Sequence, residues 1–142
     1  MKYLLLLQRG AGEDLPEFGT PEATAMVSAW TSATDAMRAA GVLIDCAPLA
    51  SASAATTVRV RDGQTLLTDG PAAELKEQVG GYTLMECADL DEAIKWAASL
   101  PAAAAASVEI RPVLAPRGLD PTAPRTLDPA PRTPDPAPRT PN

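Results

Sequence analysis

Proline placement limits the folds open to this chain more than any other feature. Eight of its fifteen prolines follow Leu119, where a seven-residue unit recurs: LDPTAPR (Leu119–Arg125), TLDPAPR (Thr126–Arg132) and TPDPAPR (Thr133–Arg139). Proline lacks an N–H and fixes φ, so such a unit forms neither a helix nor a ladder, and it buries nothing large. Residues 116–142 are therefore expected to be a disordered, polyproline-like tail. One compact domain is expected in residues 1–115. Two roles stay open for the tail: a solubilising extension, or a docking segment for a tail-binding protein with an aromatic groove.

The domain has to build its core from little. Hydrophobic residues make up 46% of the chain, but much of that is alanine, and aromatics are only 4%. A few large side chains must carry the burial, which favours a second subunit that covers an apolar face. With a formal charge of −6 and no basic stretch, nucleic acid is excluded as a partner. The leucine run Leu4–Leu7 is too short for a signal peptide, and nothing approaches the ~20 apolar residues of a membrane span. A cytoplasmic protein without a membrane partner is expected. Cys46 and Cys87 belong to no metal or redox motif, and both are expected to be free, buried thiols.

Tyr3–Gln8 is a continuous apolar run closed by Gly10 and Gly12, which predicts a central strand. A helix follows, capped by Thr20, with Pro21 in its first turn and Gly41 at its end. Met26, Trp30, Ala33, Met37 and Ala40 form its apolar stripe. Val42–Leu49 reads as a second strand, and Thr56–Arg61 with Gln64–Thr68 as a hairpin around Asp62-Gly63. A short helix is predicted over Ala72–Gln78, stopped by Gly80-Gly81, then a strand over Tyr82–Cys87. Asp89 and Glu92 predict a capping box on a second long helix that buries Leu90, Ala93, Ile94, Ala97 and Leu100 and is closed by Pro101. The last strand is Ser107–Leu114, with Pro112 pointing to a sheet edge. This order predicts an α+β fold: a ferredoxin-like antiparallel sheet with helices on one face. The other face needs a cover, and dimerisation is the simplest one.

Four segments carry a family resemblance: ATTVRVRDG (Ala55–Gly63), TDGPAAELKEQVGGYTLMEC (Thr68–Cys87), LDEAIKWAASLPAA (Leu90–Ala103) and SVEIRPV (Ser107–Val113). With the opening MKYLLLL and the helix end AAGVLID, they resemble the DGPF branch of the YCII-related family over residues 1–114. The resemblance implies a dimeric α+β barrel of two ferredoxin-like sheets packed face to face. In place of the usual phenylalanine of the name-giving motif, Asp69-Gly70-Pro71 is followed by Ala72. Some relatives carry a histidine–aspartate pair as an active site, and one branch is associated with dehydrochlorination. This chain has no histidine, so that mechanism is excluded. DGPF proteins also accompany sigma factors in genomes, which implies a link to regulation.

Without histidine, a serine–histidine or cysteine–histidine nucleophile is excluded as well. No phosphate-binding glycine loop or plausible zinc ligand set occurs, so neither a cofactor nor a metal is expected. The remaining candidates are polar residues of the resembling segments. Asp69 and Glu77 are candidate proton carriers; Arg59, Lys76, Tyr82 and Arg111 are candidate ligand-binding groups. The plain structural readings stand beside these. Asp69 is expected to accept backbone N–H bonds in its turn, Glu74, Lys76 and Glu77 to form a solvated helix face, and Tyr82 to serve as a strand aromatic. Three functions follow: a homodimer that binds a small molecule, a cofactor-independent lyase or isomerase acting on a small aromatic or polyketide-like substrate, and a tail-mediated interaction protein.

Overall fold

The computed structural model describes residues 1–114. In chain order the elements are β1 (Lys2–Gly10), α1 (Pro21–Ala39), β2 (Leu43–Pro48), β3 (Thr56–Arg61), β4 (Gln64–Asp69), β5 (Glu77–Glu86), α2 (Leu90–Ser99), α3 (Pro101–Ala105) and β6 (Val108–Pro112). β2, β5, β1 and β6 form a four-stranded sheet in that order, with every pair antiparallel. β3 and β4 make a separate two-stranded hairpin. The architecture is the ferredoxin-like α+β fold expected from the sequence, with the hairpin inserted between its second and third core strands. The proline repeats and any docking role for them lie outside the described residues.

Alternation along the strands decides which face meets the helices. Tyr3, Leu5 and Leu7 of β1 and Gly81, Thr83 and Met85 of β5 are buried. They join Met37 of α1, Ala93 and Ala97 of α2, Leu100 and Ala102 in one core. Trp30 and Trp96 pack against it half-buried. The helix signals hold. Thr20 accepts the Ala23 N–H at 3.2 Å, Pro21 opens α1, and Gly41 takes a left-handed φ of 73°. Asp89 accepts the Glu92 N–H at 2.9 Å. Glu92 reaches back to the N–H of Ala88, one residue before the expected cap donor. The hairpin turns on Asp62 and Gly63, both at positive φ, as an aspartate–glycine turn requires.

Three expectations are corrected. Ala72–Gln78 is not a helix: residues 72–76 are irregular, and Glu77 already opens β5. The segment is too short to nucleate a helix alone, while the ladder offers partners to Glu77, Gln78 and Val79. Gly80 and Gly81 are thus strand-interior residues, and Glu74, Lys76 and Glu77 share no helical face. The second long helix ends ahead of Pro101 as expected, but a short helix the sequence reading lacks follows it. Leu100 stands between the two with an extended backbone, and Pro101 starts α3, where its missing N–H costs nothing. Its predicted face is also rotated: Leu90 and Ile94 are exposed, and Ala40 at the end of α1 is exposed too.

Candidate functional site

The second face of the sheet carries no helix. The strand registers order its side chains into rows that run from β2 to β6. Asp45 pairs with Leu84, Leu84 with Leu4, and Leu4 with Arg111. Ala47, Tyr82, Leu6 and Glu109 form the next row, and Glu86 pairs with Lys2 in a third. The face is apolar in the middle and charged at both edges. Bulges between Leu7 and Gln8 and between Leu43 and Asp45 adjust the two ends.

At one corner of this face lies a concavity of about 550 Å³ lined by Gln8, Leu75, Lys76, Glu77, Ser107, Val108 and Glu109. Its geometry follows from three backbone meetings: Gly10 with Glu77 in the ladder, Ala11 N–H to Lys76 O at 2.7 Å, and Gln8 N–H to Ser107 O at 2.9 Å. The Ser107 hydroxyl donates to Glu77 Oε2 at 2.6 Å, which fixes that carboxylate against the wall. Lysine and carboxylates of both β5 and β6 therefore face one space. A second concavity, of about 710 Å³, runs along the start of α2. Its Asp89 and Glu92 are already spent on capping bonds.

On the sheet face, the Tyr82 hydroxyl donates to Asp45 Oδ2 at 2.7 Å, while Asp45 Oδ1 accepts the Cys46 N–H at 2.9 Å. The bond to the carboxylate, with burial and the nearby negative charge, raises the Tyr82 pKa above its ordinary value and keeps the phenol protonated. Arg111 pairs with Glu109 of its own strand at 3.0 Å, both largely exposed.

The other candidates lie apart. Asp69 ends β4, exposed, opposite Thr56. No hydrogen bond reaches its carboxylate among the described residues. The turn is held instead by the Gly70 N–H on Ala55 O at 2.7 Å and the Thr57 hydroxyl on Gly70 O at 2.8 Å, which corrects the turn-accepting role expected for Asp69. Arg59 is half-buried on the hairpin beside Leu66, with no carboxylate partner among the described residues. The structure thus brings Lys76 and Glu77 together, sets Tyr82 on inner strand β5 and Arg111 on edge strand β6 of one face, and leaves Arg59 and Asp69 on the hairpin. Asp45 was missed. Its signal was an ionisable residue inside the apolar run VLIDCAPL, whose alternation the bulge at Ile44 obscures. Among the described residues, no three cysteines or carboxylates gather as a metal site, and no helix is long and apolar enough to cross a membrane.

A four-stranded antiparallel sheet in the order β2-β5-β1-β6, helices on one face and a polar corner on the other, defines a ferredoxin-like α+β domain. The chain belongs to the YCII-related domain family, which it matches over residues 1–116. It is 45% identical over 76 residues to the uncharacterized protein R00369 of Rhizobium meliloti (strain 1021), an overlap of 52% of this chain and 61% of that protein. The matched part therefore spans about three fifths of that relative's length.

Proposed function

We propose that this domain is a homodimeric small-molecule-binding module whose ligand enters the corner concavity beside Lys76 and Glu77. The observation that carries the reading is the position of that concavity, on the rim of a sheet face with an apolar centre that has no cover within residues 1–114. The half-buried patch of Leu4 and Leu84 in one row and Leu6 and Tyr82 in the next is the kind of surface a second copy covers. Covering it would wall in the corner. Lys76, Ser107 and Gln8 then offer donors, and Glu77 and Glu109 acceptors, to a small polar or mixed ligand. Binding without catalysis suits a regulatory role.

A second reading, a cofactor-independent lyase or isomerase, is favoured by one contact. Glu77 is the candidate base that already shares a hydrogen bond, with Ser107, inside a concavity. Among the described residues, Asp69 lines neither of the two concavities and its carboxylate has no hydrogen-bond partner.

The test is a thermal-shift screen of small molecules against the full chain, run beside sedimentation velocity. A dimer is expected, with at least one compound whose stabilisation is lost in both Lys76→Ala and Glu77→Gln. Compounds whose effect survives both substitutions would place the site elsewhere. A stable monomer at micromolar concentration would remove the dimer. Turnover of a bound compound, abolished by Glu77→Gln, would replace the binding reading with the enzymatic one.

A further inference from the structure

The corner concavity is lined by one cation, Lys76, and two carboxylates, Glu77 and Glu109. Only one of the carboxylates is matched by a positive charge. Glu109 Oε1 accepts from Arg111 at 3.0 Å. Glu77 accepts from the uncharged Ser107 hydroxyl at 2.6 Å and has no cationic partner among the described residues. The Lys76 ammonium forms no ion pair among them either, although both carboxylates share its space. One positive and one negative charge therefore face the same concavity of about 550 Å³ without neutralising each other.

The backbone presents both groups to that space. The Lys76 carbonyl accepts the Ala11 N–H at 2.7 Å, and Glu77 pairs with Gly10 in the ladder. The apolar part of the wall comes from Leu75, which is 62% exposed, and from Val108, which packs half-buried against the core. Gln8 adds an amide that both donates and accepts.

This lining selects among ligands by charge. A bound ligand displaces water from both Lys76 and Glu77. A ligand that is only an anion leaves the Glu77 carboxylate desolvated and unpaired, and one that is only a cation does the same to Lys76. A ligand with both charges compensates both groups. An apolar side chain on such a ligand removes the exposed surface of Leu75 from water. The volume falls within the range of about 300–1,000 Å³ in which small ligands are held.

Resting on the binding reading above, we propose that the ligand of this corner is a small zwitterion, an amino acid with an apolar side chain. Lys76 and the Gln8 amide take its carboxylate, Glu77 takes its ammonium, and its side chain lies on Leu75 and Val108. The Ser107 hydroxyl holds the Glu77 carboxylate in place for the ammonium.

The experiment is isothermal titration calorimetry of the full chain with leucine and with two analogues that each lack one charge, 4-methylpentanoate and 3-methylbutylamine. Lys76 and Glu77 are both exposed, so their substitution leaves the core intact, and circular dichroism checks folding. Leucine is expected to bind at least tenfold more tightly than either analogue. Lys76→Gln is expected to weaken leucine at least tenfold and leave 3-methylbutylamine within about threefold of the parent. Glu77→Gln is expected to weaken leucine to the same extent and leave 4-methylpentanoate within about threefold or tighter. Equal binding of all three compounds, or leucine binding that survives both substitutions, overturns the proposal. No binding of leucine, valine or phenylalanine overturns it too. If a compound from the thermal-shift screen still depends on Lys76 and Glu77 in that case, the binding reading stands and only the ligand class is wrong; if none does, both fall.

Discussion

At the scale of single residues, the side chain that works against the fold is Thr83. It is fully buried between Leu5 and Cys46 on neighbouring strands, and its hydroxyl is without a hydrogen-bond partner. A buried, unsatisfied polar group costs about 1–3 kcal/mol, whereas an apolar group of the same shape avoids that penalty. Thr83→Val is therefore expected to stabilise the domain by roughly 1 kcal/mol, seen as a higher urea midpoint at unchanged slope. A lower midpoint would mean that the hydroxyl is satisfied in solution. The residues around it show how much the sequence discloses at this scale. A core resting on few large side chains is readable from an alanine-rich, aromatic-poor composition, and Leu5, Met37, Met85 and Leu100 are indeed the large buried ones. The pairing of Asp45 with Tyr82 is not readable, because it joins positions 37 residues apart through a register that a bulge sets.

Elements were legible where local chemistry dictates them. Thr20, Asp89, Gly41 and the Asp62-Gly63 turn each satisfy a backbone need within a few residues, so their structure follows from their own neighbourhood. The segment Ala72–Gln78 failed the same reasoning for the opposite reason. Its alanine, glutamate, leucine and lysine favour a helix, but the strand beside it imposes an extended backbone from Glu77 on. Gly80-Gly81 was then read as a helix stop, when the pair marks close approach inside a strand. A Cβ on Gly81 would lie 2.9 Å from the carbonyl oxygen of Ala47, whereas one on Gly80 would meet the movable end of Arg9 at 3.0 Å. Gly81→Ala is accordingly expected to cost about 1–3 kcal/mol, by pushing β2 away from β5, and Gly80→Ala distinctly less. Denaturant unfolding of the two variants side by side measures the difference. Equal losses would show that strand β2 yields as easily as a side chain.

For the molecule as a whole, the ferredoxin-like topology was legible because it is fixed by element order and by one-sided apolar alternation, both properties of the sequence. The placement of the polar candidates was not, since it depends on which strand pairs with which. Three groups that the assembled fold buries or places beside negative charge also set its behaviour in alkali. Burial raises the Cys87 thiol above its ordinary 9.0, with Glu92 adding to it. Burial raises Tyr3 above 10.0, with Cys87 and Asp89 adding to it, and the bond to Asp45 raises Tyr82 above the same value. In all three the folded chain holds the proton more tightly than the unfolded one. As pH climbs past 9 the unfolded chain releases its thiol proton first, and past 10 its phenol protons, while the folded chain still holds them, so rising pH shifts the balance toward the unfolded state. The contribution is thus fully present below about pH 9 and is lost as pH rises through the folded values. Urea unfolding near pH 8 and near pH 10.5 should show a lower midpoint at the higher pH, with the drop reduced in Tyr82→Phe and in Cys87→Ala. A drop of the same size in both variants would place the alkaline sensitivity on groups other than these.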